Sequence, residues 1–193
     1  MKIKYLLLLL FIAGIGCNNQ KERFLYERPS FTVADTYNGR ILGDNDSVFF
    51  SNMTLQVKIG STKFNVGIDM GIGNKAYASM RKDKVEIAPG EKISNIKIIS
   101  LYDYNNKFKA GADIIDSCVL KEGKSVHDRK SLIKRMNTTY SEYYYAAGGA
   151  LQSLDITIKN PPSSISSQRF AIVFETENQS VLTDTTRLFT IKP

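Results

Sequence analysis

The 193 residues amount to 21.7 kDa, one ordinary domain with a leader and a tether, and exclude two full domains. Hydrophobic residues at 42% and charged residues at 23% suit a folded core, ten Tyr and ten Phe without Trp favour sheet, and two Cys with one His remove most metal sites and any disulfide framework, so no cofactor is read. The formal net charge of +7 falls to +5 once Lys2 and Lys4 leave with a cleaved leader, an ordinary value for solubility that points to no nucleic-acid partner.

At the start of the chain, Lys2 and Lys4 precede an apolar run over residues 6–15, broken by Gly14 and followed by small residues before Cys17. A spanning helix needs about 20 apolar residues, and a basic flank ahead of a shorter run is the plan of a signal peptide, here residues 1–16. A buried N-terminal helix and an ordinary secretory signal cut near Gly16 are the competing readings. Gly14-Ile15-Gly16-Cys17 resembles the lipobox of a bacterial lipoprotein leader, with Gly14 where Leu is commonest. That resemblance implies a lipidated Cys17, a membrane held through more than one acyl chain, and an envelope location. Residues 18–23 read as a polar tether that loosely resembles the surface-export signals of Bacteroidetes lipoproteins. The division is therefore residues 17–45 as lipidated cysteine, tether and leading arm or edge strand, and residues 46–193 as the folded domain.

Within that domain, Met53, Leu55, Val57 and Ile59 alternate with polar residues, and Phe64, Val66 and Ile68 repeat the pattern after Gly60-Ser61-Thr62. Period two marks strands with one buried face, and the short Gly-containing link predicts that the two pair as a hairpin. Gly67, Gly71 and Gly73 with Lys75 fail the spacing of a phosphate cradle, because Ala76 follows and no helix opens there, so residues 67–74 read as a loop. Ile96 and Ile98 predict a third strand and residues 112–120 a fourth. Cys118 reads as a small core residue; as a nucleophile it would need His127, the only imidazole. No nucleophile elbow exists, and spacing alone cannot pair Asp113, Asp116 and Glu122 for glycoside chemistry. No enzyme is expected.

Ser125 to Asp128 has the spacing of a capping box, and Leu132, Ile133 and Met136 then predict a helix over residues 126–136, with His127 exposed at its start. Lys130, Lys134 and Arg135, near Lys121 and Lys124, form a basic cluster that reads as a solvated face or an anionic contact. Tyr140, Tyr143, Tyr144 and Tyr145 put four rings in six residues beside Gly148-Gly149. They suit sugar stacking or a protein contact; the alternative is a strand whose alternate rings pack inward. Leu154, Ile156 and Ile158 form the next strand, broken by Pro161-Pro162, and Phe170, Ile172 and Phe174 another, turned at residues 177–179 toward Val181 and the last strand at 188–191. Asp46-Ser47-Val48 and Asp184-Thr185-Thr186 resemble the O-glycosylation acceptor of exported Bacteroidetes proteins, with Ser47 and Thr185 as acceptors.

The pattern predicts an all-β, immunoglobulin-like β-sandwich with one short crossover helix. The whole resembles the small lipoproteins of Bacteroidetes. That resemblance implies an outer-membrane or cell-surface location and a noncatalytic binding or accessory role, with a glycan or an envelope protein as partner. A structural subunit that adds strands at a sheet edge is the second reading.

Overall fold

The computed structural model describes residues 21–65, 86–141 and 150–193, and these form a mostly β-sheet structure with a single short α-helix. The leader, Cys17, the loop 67–74 and Tyr143 to Tyr145 lie outside the described residues, as does the side chain of Tyr140.

The larger sheet has the order β10-β9-β12-β5-β2-β3. Its strands are β2 (Ser30–Asp35), β3 (Arg40–Ile41), β5 (Met53–Lys58), β9 (Cys118–Glu122), β10 (Ser125–His127) and β12 (Ser153–Ile158). Alternation is clean where it was legible: Met53, Leu55 and Val57 of β5, and Leu154, Ile156 and Ile158 of β12, all point inward. Facing it are β4 (Ser47–Phe49), β8 (Ile93–Ser100), β13 (Ser166–Gln168), β14 (Phe170–Thr176), β15 (Val181–Thr185) and β16 (Phe189–Lys192). β13 with β14, and β15 with β16, are two long strands of one hairpin. Three residues, 186–188, oppose Arg169 and Phe170 between the paired segments, which makes a bulge. Thr186 is buried there because its hydroxyl accepts from the Phe170 N–H at 3.0 Å and its N–H donates to the Phe170 carbonyl at 2.9 Å. With β8 on one side and β4, parallel to β16, on the other, these strands form the second layer. Inward residues of both layers join one apolar cluster that includes Leu55, Ile156, Ile98, Phe170, Phe174 and Phe189.

A four-stranded sheet, β11-β7-β1-β6, extends one end of the molecule through β1 (Lys21–Tyr26), β6 (Ser61–Asn65), β7 (Glu86–Pro89) and β11 (Tyr140–Ser141). It corrects two expectations. The stretch read as a leading arm supplies β1, β2 and β3, with Phe24, Tyr26, Phe31, Val33 and Leu42 in the core, so the domain does not begin at residue 46. Strands β5 and β6 also do not pair with each other; the chain runs through Ile59 and Gly60 into the second sheet, while β2 and β1 run beside it antiparallel. Ile59 stays buried, which keeps the backbone extended where a hairpin was expected. Between the pairs Tyr26↔Ser61 and Ser30↔Lys58, three residues oppose two, and this bulge bends the ribbon. At the bend the Glu27 carboxylate lies over Gly60, where a Cβ would fall 2.3 Å from Oε2, so a larger residue there displaces the end of that side chain.

The helix α1 (Arg129–Met136) starts three residues later than the sequence suggests. Gly123, at φ +56°, turns β9 into β10 and consumes Ser125 to His127 in a hairpin. Asp128 caps instead, accepting from the Ser131 N–H at 2.7 Å while the Ser131 hydroxyl accepts from the Asp128 N–H at 2.9 Å. Leu132 and Met136 are its buried face. The expected strand over residues 112–120 is interrupted by a 3-10 turn, Ile115–Ser117, and only β9 pairs regularly.

Candidate functional site

At the end of β2 remote from β1, a concave site of about 400 Å³ opens between the turn after β2, strand β4 and the end of β16. Asp35 builds its rim. Its carboxylate accepts from the Tyr37 N–H at 3.0 Å and from Asn38 Nδ2 at 2.7 Å, its carbonyl accepts from the Gly39 N–H at 2.8 Å, and Gly39 takes φ +65°. Thr36 ties the same turn to the carbonyl of Asn52 through both its N–H, at 2.8 Å, and its hydroxyl, at 3.0 Å. A turn so pinned holds the Tyr37 ring in solvent, 82% exposed. Opposite it, Phe49 is 56% exposed at the end of β4, with Lys192 Nζ 5.7 Å from its ring centroid.

Asn38, Asn52 and Ser47 add hydrogen-bonding groups, and Arg40 and Lys192 add positive charge. Arg40 Nη1 lies 3.8 Å from Asp46 Oδ2, and that oxygen also accepts from the Gly43 N–H at 2.8 Å, which fixes the loop from β3 to β4. Among the described residues Asp35 is the only carboxylate lining the cleft, and its oxygens are committed to the turn. The cleft offers flat apolar surface edged with amides and cations, the composition of a binding site for a polar ligand with an apolar face.

The other sequence candidates are structural. Cys118 is buried, its thiol donates to the Ile114 carbonyl at 3.3 Å, and burial pushes it up to about 12, the opposite of an activated nucleophile. His127 is half-buried on β10 and is not an exposed helix-start residue; its Nε2 lies 3.6 Å from Glu122 Oε2. Glu122 also receives Arg135 through both oxygens, at 2.6 and 2.9 Å, which clamps α1 to β9 and takes Arg135 out of the basic cluster. Asp113 and Asp116 both lie 2.9 Å from Arg129 Nη2, which ties the 3-10 turn to the start of α1. Among the described residues no group of His, Cys, Asp and Glu is arranged to hold a metal.

Ser47 and Thr185 both lie on edge strands and are half-buried. Ser47 lines the cleft, and Thr185 Oγ1 accepts from Arg169 Nη2 at 2.9 Å. Tyr140 belongs to β11, which pairs with β7. Tyr37 and Phe49 were missed as a site because both fall in or beside the stretch read as an arm. Asn38-Gly39, the turn that carries Tyr37, was the available signal.

Comparison with known protein families, with curated proteins and with solved structures finds no match to this chain.

Proposed function

We propose that this chain is a lipid-anchored envelope or cell-surface protein of noncatalytic, ligand-binding type, built on an immunoglobulin-like sandwich. The observation that carries the binding role is the cleft in which Tyr37 and Phe49 stand exposed at the far end of β2 from the N-terminal strand. The ligand class it suits is a glycan, whose hydrophobic ring faces stack on aromatics while its hydroxyls meet Asn38, Asn52, Arg40 and Lys192. Cys17 is the anchor, and the outer membrane or cell surface is the location.

Strand order supports the immunoglobulin-like assignment. β2, β5, β12 and β9 follow one another in the sheet as strands A, B, E and D do in such domains, and β8, β14 and β15 as C, F and G. The parallel pairing of β4 with β16 gives the second layer its remaining edge.

Strand addition at a sheet edge is less favoured, because the edges beside the hairpin are covered. Asn137 bonds both backbone groups of Ile93 on β8, and the loop after β8 returns to bond Ser100 and Ile98. On the other side Arg28 Nε donates to the Thr183 carbonyl at 3.2 Å, and Asp184 accepts from the Phe31 N–H at 2.8 Å.

The test is a glycan and envelope-protein binding screen with the native chain and with Tyr37→Ala and Phe49→Ala, alongside mass analysis of the N-terminal peptide and protease treatment of intact cells. Binding lost in both variants with the fold intact supports the cleft. Ligand retained by both sinks it, and an unmodified Cys17 sinks the anchor.

A further inference from the structure

The outward face of the four-stranded sheet is assembled from positions that alternation and register bring together. Along β1, Phe24 and Tyr26 turn into the core, which leaves Arg23 and Leu25 on the other face. Register sets Arg23 opposite Phe64 on β6 and Ala88 on β7, and Leu25 opposite Thr62. Leu25 is 43% exposed and Phe64 39%. The two side chains meet over Gly90, where a Cβ would fall 2.9 Å from Phe64 Cζ and 3.3 Å from Leu25 Cδ2. Gly90 is seated by its N–H, which donates to the Phe24 carbonyl at 2.7 Å. The result is an aliphatic and an aromatic side chain lying over a bare backbone, with the cation Arg23 on the same face.

We propose that this face lies on the surface of a phospholipid bilayer; the inference rests on lipidation of Cys17. The length of chain decides for a bilayer over a protein partner. Four peptide steps separate Cys17 from Lys21 and eight separate it from Leu25, at most about 14 Å and about 28 Å when fully extended. A lipid on Cys17 therefore holds β1 within about 28 Å of the bilayer, close enough for this face to meet the head groups. Leu25 and Phe64 at the acyl boundary with Arg23 among anionic head groups is a composition that holds a peripheral surface in that layer. The ligand cleft opens at the opposite end of β2, whose six residues extend about 17 Å, so the same orientation turns Tyr37 and Phe49 away from the bilayer.

The full chain, carrying Thr62→Cys in one preparation and Ser51→Cys in another, is labelled with an environment-sensitive fluorophore while Cys118 stays buried. The lipidated form is then inserted into vesicles of phosphatidylethanolamine and phosphatidylglycerol with spin-labelled acyl chains. The label at residue 62 is quenched and the label at residue 51, beside the cleft, is not. Adding Leu25→Glu and Phe64→Glu leaves the protein anchored and folded by circular dichroism, and shifts the ratio of membrane-lying to free orientations about tenfold, read as lost quenching at residue 62. Quenching at residue 62 that both glutamates leave unchanged overturns the proposal, as does equal quenching at residue 51. A lipidated N-terminal peptide with an unquenched label at residue 62 overturns the orientation alone, whereas an unmodified Cys17 overturns the anchor and the orientation with it.

Discussion

Replacing Asn137 by alanine tests whether a side chain closes the exposed edge of β8. Asn137 ends α1, donating its own N–H to the Ile133 carbonyl at 3.1 Å. Its amide then does what a neighbouring strand would do: Oδ1 accepts from the Ile93 N–H and Nδ2 donates to the Ile93 carbonyl, each at 2.8 Å. Ile93 is buried, so alanine removes two hydrogen bonds and leaves two backbone groups poorly served. At about 1 kcal/mol per bond, with a further penalty for groups that water reaches only in part, the loss is about 2–3 kcal/mol. For a domain of this size that corresponds to a fall of about 5–10 °C in Tm. Asn137→Asp keeps an acceptor but sets a carboxylate against the Ile93 carbonyl, so its loss is at least as large at neutral pH. Thr138→Ala removes only an exposed bond to the Lys134 carbonyl and costs under about 0.5 kcal/mol. Urea titration of the three variants measures the differences, and an Asn137→Ala loss no larger than that of Thr138→Ala would refute the argument.

Acid should destabilise the fold in a defined window. Lys97 foremost, then Asn95, hold the Glu175 carboxyl below its ordinary value of 4.5, and the hydroxyls of Thr176 and then Ser180 do the same for Glu91. A carboxyl lowered on folding contributes stability above its unfolded value and loses it as pH falls through the folded one, so denaturation midpoints stay level down to about pH 4.5 and then drop. Glu175→Gln removes its share of that drop. Cys118 is expected to resist iodoacetamide in the native protein and to react once urea unfolds the chain, since burial raises its thiol and outweighs the opposing charge of Lys159. Labelling at a free-thiol rate without denaturant contradicts the packing described for β9.

Strands with one wet face were legible because alternation is a local signal. β5 and β12 follow it residue by residue, β14 follows it from Ile172 onward, and the hairpin of β14 with β15 was marked by its polar turn. Pairing across long separations was not legible. Gly60-Ser61-Thr62 has the composition of a turn, yet the chain continues through it, because β1 and β2 arrive from the stretch read as an arm and supply the partners. The helix boundary failed for a similar reason: Ser125 and Asp128 both suit a cap, and only the turn at Gly123 assigns Ser125 to a strand. The cleft was illegible because its parts come from β2, β4 and β16, whose meeting depends on the parallel pairing of residues 47–49 with 190–192.

Two ends of one ribbon then carry different chemistry. β1 and β6 continue β2 and β5 past a single bulge, so whatever fixes β1 also fixes the direction in which β2 delivers Asp35. Asp35 in turn sets Tyr37 through the hydrogen bonds of its own turn, and the loop held by Asp46 sets the start of β4 and hence Phe49. Neither aromatic is held by core packing, which is why both stay exposed; each is positioned by carboxylate and backbone bonds that tolerate a change of side chain at residues 37 and 49. Residues 37 and 49 can therefore change with little cost to the fold, whereas a larger residue at Gly60 first has to move the Glu27 carboxylate off the bend.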